Sequence, residues 1–139
     1  MEESIRKFIL ENKVANICFV CEDGTPYCIS CFYAFDEKNN LLVLKSSTGT
    51  SHDTVSFKGD PLAGTIIPEQ IEVMNLQGIQ FQGRTIRKES LDNWNIATTY
   101  YGKFPFAMAM PGYLWAIELN DIKFTDNKKA FGTKIKWKK

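Results

Sequence analysis

Two nearly unbroken apolar runs, Val14 to Cys21 and Tyr27 to Phe35, flank Asp23-Gly24-Thr25-Pro26. Two such runs joined by turn residues read as a β-hairpin. Strands with so little alternation are expected to be buried on both faces. With the loop set at Asp23 to Pro26, Glu22 faces Tyr27, Cys21 faces Cys28 and Cys18 faces Cys31.

The remaining punctuation extends this start into a sheet. Ile5, Phe8 and Ile9 recur at helical spacing within residues 2–12, and Glu2 and Glu3 sit where a helix dipole favours acids. A short amphipathic helix is expected to dock there on the sheet. Glu37-Lys38-Asn39-Asn40 makes a turn into a third strand, Leu41 to Lys45. A short helix is expected to follow, running to about Phe57 and ending at Gly59. Leu62 to Ile67 and Glu72 to Arg87 read as two more strands, the second carrying Gly78 and Gly83 as marks of bulges or bends. Leu91, Trp94, Ala97 and Tyr101 form a helical stripe over 90–101 that stops at Gly102. Tyr113 to Phe124 and Phe131 to Trp137 complete the strands. Six or seven strands joined mostly by short turns, with three short helices outside, predict a mainly β fold, a small antiparallel barrel.

Composition narrows the function classes. The 139 residues suit a single domain spanning 1–139, with no repeat, linker or low-complexity tract. A formal charge of +1 creates no field for nucleic acid or an anionic membrane. The lysines at 128, 129, 134, 136, 138 and 139 read as a solvated edge that discourages aggregation. No apolar stretch approaches the ~20 residues that span a bilayer, and the N-terminus reads as a helix start and not a secretory signal, so the expected compartment is the cytoplasm. Aromatic residues make up 13%, with ten Phe, five Tyr and three Trp. So many rings imply a β-rich core, a large buried interface or a site for a flat ligand. The apolar surface exceeds what one small barrel readily hides, which points to a homodimer.

Cys18-x2-Cys21 and Cys28-x2-Cys31 have the spacing of a zinc site, but residues three apart in a strand point to opposite faces. The four cysteines are therefore read as reduced packing thiols, with a redox-active facing pair as the alternative and no metal expected. Ser46-Ser47-Thr48-Gly49-Thr50-Ser51-His52 carries more information. It runs from a strand end into an expected helix start, where unpaired N–H groups and the dipole favour an anion. Hydroxyls and an imidazole can bond phosphate oxygens, Gly49 permits close backbone approach, and Lys45 can add charge. The same residues also suit a polar loop with Thr50 or Ser51 as a helix cap.

The order of motifs resembles the pyridoxamine 5′-phosphate oxidase-like superfamily of FMN-binding split barrels, in an uncharacterised bacterial branch. The resemblance runs through Val14-Ala15-Asn16-Ile17, Asp23-Gly24-Thr25-Pro26-Tyr27, Phe32-Tyr33-Ala34-Phe35-Asp36, Leu42-Val43-Leu44-Lys45, Ser51-His52 and Asp60-Pro61-Leu62-Ala63-Gly64. It continues through Gln77-Gly78-Ile79-Gln80-Phe81-Gln82-Gly83, Tyr101-Gly102-Lys103-Phe104-Pro105 and Ile122-Lys123-Phe124-Thr125-Asp126-Asn127. It implies a six-stranded antiparallel split β-barrel, a homodimer, and FMN shared across the interface. By position it implies phosphate contacts from Lys45, Ser46, Ser47, Thr50, Ser51 and His52. It also implies that Gln77 and Gln80 face the isoalloxazine edge and that Trp115 covers the ring from the second subunit. The implied activity is an FMN-dependent oxidoreductase acting on a small molecule. A non-catalytic carrier of flavin or haem in the same cleft is the alternative. Many relatives place Arg or Lys where Ser51 stands. Glu118 and Asn120 occupy the positions of the Arg-x-His pair of true pyridoxamine phosphate oxidases, which argues against that reaction.

Overall fold

The computed structural model describes residues 1–47, 49 and 59–139. In chain order these form α1 (Glu3–Glu11), β1 (Val14–Val20), β2 (Pro26–Asp36), β3 (Leu41–Ser46), β4 (Pro61–Ile66) and β5 (Gln77–Thr85). There follow α2 (Lys88–Leu91), α3 (Ile96–Lys103), a 3-10 segment over Pro105–Ala109, β6 (Tyr113–Asp126) and β7 (Lys134–Lys138). The helix expected up to about Phe57 lies outside the described residues.

All strand pairings are antiparallel, in the order β3-β2-β1-β4-β5-β6-β7, and a further β3–β6 pairing closes the first six strands into a barrel. The 14-residue β6 makes closure possible. One edge carries β5, while the other carries β3 opposite 113–118 and then β7 opposite 121–125. The mainly β, six-stranded split barrel anticipated from the sequence is the fold observed. Gly83 sits at the one register shift between β5 and β6, where a Cβ would lie 2.3 Å from the Glu118 carbonyl oxygen, so only glycine fits the bulge. Gly78, the other glycine of that strand, carries no register shift.

The first hairpin forms in a different register from the one expected. Cys18 pairs with Cys28, Phe19 with Tyr27 and Ala15 with Cys31. The Cys21 amide donates to the Thr25 carbonyl at 2.8 Å, the Gly24 amide donates to the Cys21 carbonyl at 2.9 Å, and Gly24 has φ +83°. The loop is thus Glu22-Asp23-Gly24, a three-residue turn with glycine at its left-handed position. Pro26 is not a turn residue but opens β2, a strand position that tolerates a missing N–H. The expected pairs Cys21–Cys28, Cys18–Cys31 and Glu22–Tyr27 are replaced accordingly.

Three further expectations are corrected. β1 alternates between buried and more exposed residues, and β2 from Pro26 to Phe32 alternates between half-buried and exposed ones, so these stretches turn only one face to the core. Their outer face is mostly apolar as well, with Val20 66% exposed and Asn16 and Ser30 as its polar pair, which is why the sequence shows so little alternation. Two-face burial belongs instead to β3, where Leu42 and Leu44 enter the barrel core while Leu41 and Val43 join a second cluster outside it. The strand expected from Glu72 begins only at Gln77. The helix expected over 90–101 is two helices, broken where Asp92, Asn93 and Asn95 favour local bonding over helix propagation.

The barrel core joins Ile17, Leu42, Leu44, Phe81, Trp115 and Phe124 to Ile5, Phe8 and Ile9 of α1. The second cluster packs Leu91, Ile96, Tyr100, Phe104 and Ala107 against Leu41, Val43 and Ala116. This helical flap on the outside of β2, β3 and β6 positions the candidate site. No helix among the described residues is long and apolar enough to cross a membrane.

Candidate functional site

A cavity of about 210 Å³ lies between the end of β3 and the flap. Its walls are mostly aromatic and apolar, with Phe32 from β2, Tyr100 from α3, and Phe104, Phe106 and Met110 around the 3-10 segment. Lys45, Ser46 and Ser47 supply its polar side. Pro105 opens the 3-10 segment, fixing φ at a position whose N–H needs no partner. The segment thereby sets Phe104 and Phe106 on either side of the turn, with ring centroids 6.3 Å apart.

Lys45 ties the flap to the barrel. Its Nζ donates to the Tyr101 hydroxyl at 2.9 Å and to the carbonyls of Ala107 and Met110, each at 2.7 Å. The ammonium also lies 4.9 Å from the Tyr101 ring centroid. All three acceptors are neutral, and among the described residues no carboxylate pairs with Lys45. Among the described residues the positive charge at the cavity is therefore solvated by dipoles and not cancelled, an arrangement that attracts an anion.

Two groups beside the cavity, Tyr100 and Cys31, are held neutral at ordinary pH. Burial, with smaller contributions from Cys31 and Tyr101, pushes the Tyr100 hydroxyl up to about 12. Burial likewise pushes the Cys31 thiol up to about 11. Behind the cavity the half-buried Lys103 donates to the Asn12 carbonyl at 2.7 Å, and burial followed by the charge of Lys13 pulls it down to about 8.

Of the residues singled out from the sequence, Lys45, Ser46 and Ser47 come together at this cavity. Ser46 is buried, its Oγ accepting the Trp115 indole N–H at 2.9 Å, whereas Ser47 is exposed at the rim. Gly49 has φ +76°, a conformation that favours glycine. Thr50, Ser51 and His52 lie outside the described residues.

The other three fall elsewhere. Trp115 has no exposed surface and packs in the barrel core, its ring centroid 5.9 Å from that of Phe19. A ring without accessible area cannot cover a ligand shared with a second subunit, so that expectation is corrected. The Gln77 amide donates to the Asp126 carboxylate at 2.9 Å, and Asp126 is buried. Ser46 pairs with Tyr113 and Gln77 with Asp126, at opposite ends of β6, roughly 40 Å apart along the strand. Gln80 is exposed on the outer sheet face, opposite Lys123. Within one protomer the glutamines and the β3 end do not form one site.

Sequence reasoning missed the apolar walls. Phe32 and the 104–110 segment are far apart in the chain, and a 3-10 turn gives no helical period. The signal present was Phe104-Pro105-Phe106 with Met108 and Met110, apolar residues in a segment too irregular for a core helix.

Solved structures define the class. A haem-binding protein from Mycobacterium smegmatis superposes with TM-score 0.77 at 12% identity, over 98% of this chain and 57% of that one. A Clostridium acetobutylicum protein related to general stress protein 26 of Bacillus subtilis, of the pyridoxinephosphate oxidase family, gives TM-score 0.61 at 11% identity, over 97% and 92%. An FAD-binding protein from Mesorhizobium loti gives 0.59 at 12%, over 88% and 92%. At such identities the likeness establishes the fold, a split barrel of the kind used by flavin- and haem-binding proteins. No family model matches the chain. The UPF0306 protein YhbP of Salmonella paratyphi C (strain RKS4594) is 34% identical over 134 residues, covering 96% of this chain and 90% of that protein. The chain belongs to the UPF0306 YhbP family.

Proposed function

We propose that the protein binds FMN at the interface of a homodimer and acts as a flavin-dependent oxidoreductase on a small molecule. The observation that carries this reading is the aromatic half-cavity at the end of β3, with the Lys45 ammonium on one side, held by neutral acceptors. At about 210 Å³ it is smaller than the ~300–1,000 Å³ usual for a ligand of this size. Its rim is open and apolar, with Phe32 56%, Phe106 70% and Met110 56% exposed. A second copy covering that rim would complete the cavity and remove the patch from water.

The residues present fit FMN. Phe32, Phe104 and Phe106 offer flat apolar surface to a ring system. Lys45 and Ser47, with Thr50, Ser51 and His52 expected beside them, would hold the phosphate. Gln80 would reach a flavin edge only from the other protomer. FMN supplies hydride and one-electron chemistry when bound, and the chain positions it and excludes water. Tyr100, held neutral, can donate a hydrogen bond but is not a base. Pyridoxamine-phosphate oxidation is not part of the proposal, because Glu118, which pairs with Lys139, puts a carboxylate where that reaction needs cations.

The test is the absorption spectrum of the purified protein, chromatography of the heat-released chromophore, and sedimentation. Released FMN from a dimer supports the reading. A Soret band moves the cleft to haem, the ligand of the Mycobacterium smegmatis neighbour, with Tyr100 or Met110 as candidate iron ligands. A monomer at micromolar concentration overturns the shared site.

A further inference from the structure

A pair of thiols stands apart from the cavity, on the outer face of the hairpin. Cys18 of β1 and Cys28 of β2 are direct cross-strand partners, with sulfurs 2.6 Å apart and both side chains exposed. The Cys21 amide bonds across to Thr25 and the Tyr33 amide bonds across to Lys13, so odd-numbered β1 residues form the hydrogen-bonded pairs. Cys18–Cys28 is therefore a non-hydrogen-bonded pair, in which opposed side chains approach most closely, with Cα atoms about 4.5 Å apart. That separation falls within the range a disulfide requires. Cys31 lies opposite Ala15, half-buried, with its sulfur against the Lys45 carbonyl at 3.7 Å, and Cys21 sits at the turn. Among the four cysteines, only Cys18 and Cys28 are cross-strand partners of one another.

Access is also provided. Cys18 lines an open groove of about 400 Å³ on the outer face, whose other polar residues include Thr65, Gln80, Gln82 and Lys123. A small molecule in that groove reaches the Cys18 sulfur without entering the core or the flap cavity.

We infer that Cys18 and Cys28 form a reversible dithiol–disulfide site that exchanges with low-molecular-weight disulfides of the glutathione class. One sulfur, as thiolate, attacks a sulfur of the small disulfide, forming a mixed disulfide and releasing one small thiolate that takes up a proton. The second protein thiol loses its proton and attacks the protein sulfur of the mixed disulfide, expelling the second small thiol. The protein dithiol is oxidised by two electrons and the small disulfide is reduced to two thiols. The bond formed spans β1 and β2 without altering their register, so the barrel is retained in both states.

The experiment incubates reduced full-length protein with oxidised glutathione, quenches with an alkylating agent, and reads intact mass and cysteine-containing peptides. The expected product has lost two hydrogens, carries no glutathione, and is alkylated only at Cys21 and Cys31. Cys18→Ser and Cys28→Ser, each lacking the resolving thiol, are expected to retain one glutathione on the remaining member of the pair. Four alkylated cysteines after incubation, a bridge between other cysteines, or a bridge between two chains overturns the inference. The incubation uses flavin-free protein, because the groove shares Gln80 with the proposed flavin edge, and its failure leaves the cavity at the end of β3 untouched.

Discussion

Gly112→Ala probes how the cavity is built. Gly112 precedes β6 with φ +141°, and a Cβ there would lie 2.6 Å from the Ser46 carbonyl oxygen and 3.3 Å from Cε of Lys45. Two costs add. A side chain in that backbone region costs about 1–3 kcal/mol. Overlap with a strand carbonyl that cannot rotate away costs about 1–3 kcal/mol more. Part of each is relieved by the same backbone shift, so the expected loss is about 3 kcal/mol. With a urea slope near 2 kcal/mol per molar for a domain of this size, the midpoint should fall by about 1.5 M. Gly102→Ala is the matched control, since Gly102 lies in α3 with nothing within 4 Å of a built Cβ. That change should raise stability by about 0.5–1 kcal/mol through helix propensity. Urea unfolding followed by far-ultraviolet circular dichroism measures both. Equal midpoints for wild type and Gly112→Ala, or equal losses in the two variants, would refute the packing of Gly112 against β3.

Other consequences follow from the same contacts. Lys45→Met keeps the aliphatic stem but removes the charge beside the cavity, and FMN affinity should fall roughly tenfold, about 1.4 kcal/mol, by fluorescence titration. An unchanged dissociation constant would remove Lys45 from phosphate binding. Trp115→Phe deletes the buried bond to Ser46 and part of the core volume, and should cost about 2 kcal/mol of stability. If flavin affinity instead fell with stability intact, Trp115 would be a ligand contact after all. Lys103 is pulled down to about 8 in the fold against an ordinary lysine value of 10.5, so between those values the unfolded chain holds the extra proton and Lys103 makes stability rise with pH. Half-exposure reduces the gain to about 1–2 kcal/mol, and it should vanish in Lys103→Met. From pH ~9 the rise should be offset and then reversed, because burial pushes the Cys31 thiol and then the Tyr33 and Tyr100 hydroxyls up and the unfolded chain loses those protons first.

The barrel was legible because strand-forming runs and turn residues alternate along the chain. The hairpin register was not, since Pro26 beside Gly24 and Thr25 reads equally well as a turn residue and as a strand start. The outer faces of β1 and β2 were hidden by their own composition. Cys18, Val20, Cys28 and Phe32 are apolar yet exposed, so a pattern that means two buried faces in β3 means something else there. At the site, Lys45, Ser46 and Ser47 could be found because polar residues ending an apolar strand stand out. Phe104, Phe106 and Met110 could not, because only the fold brings them opposite Phe32. Trp115 shows the opposite error, since an aromatic residue in a strand looks the same whether it faces a ligand or the core.

The most direct test of the proposed cofactor site is a titration of the colourless or stripped protein with FMN, read by flavin fluorescence and by sedimentation of the same samples. The account predicts saturation at one FMN per protomer in a dimeric species, weakened in Lys45→Met. A folded protein that leaves added FMN free, or binds it as a monomer, would contradict it.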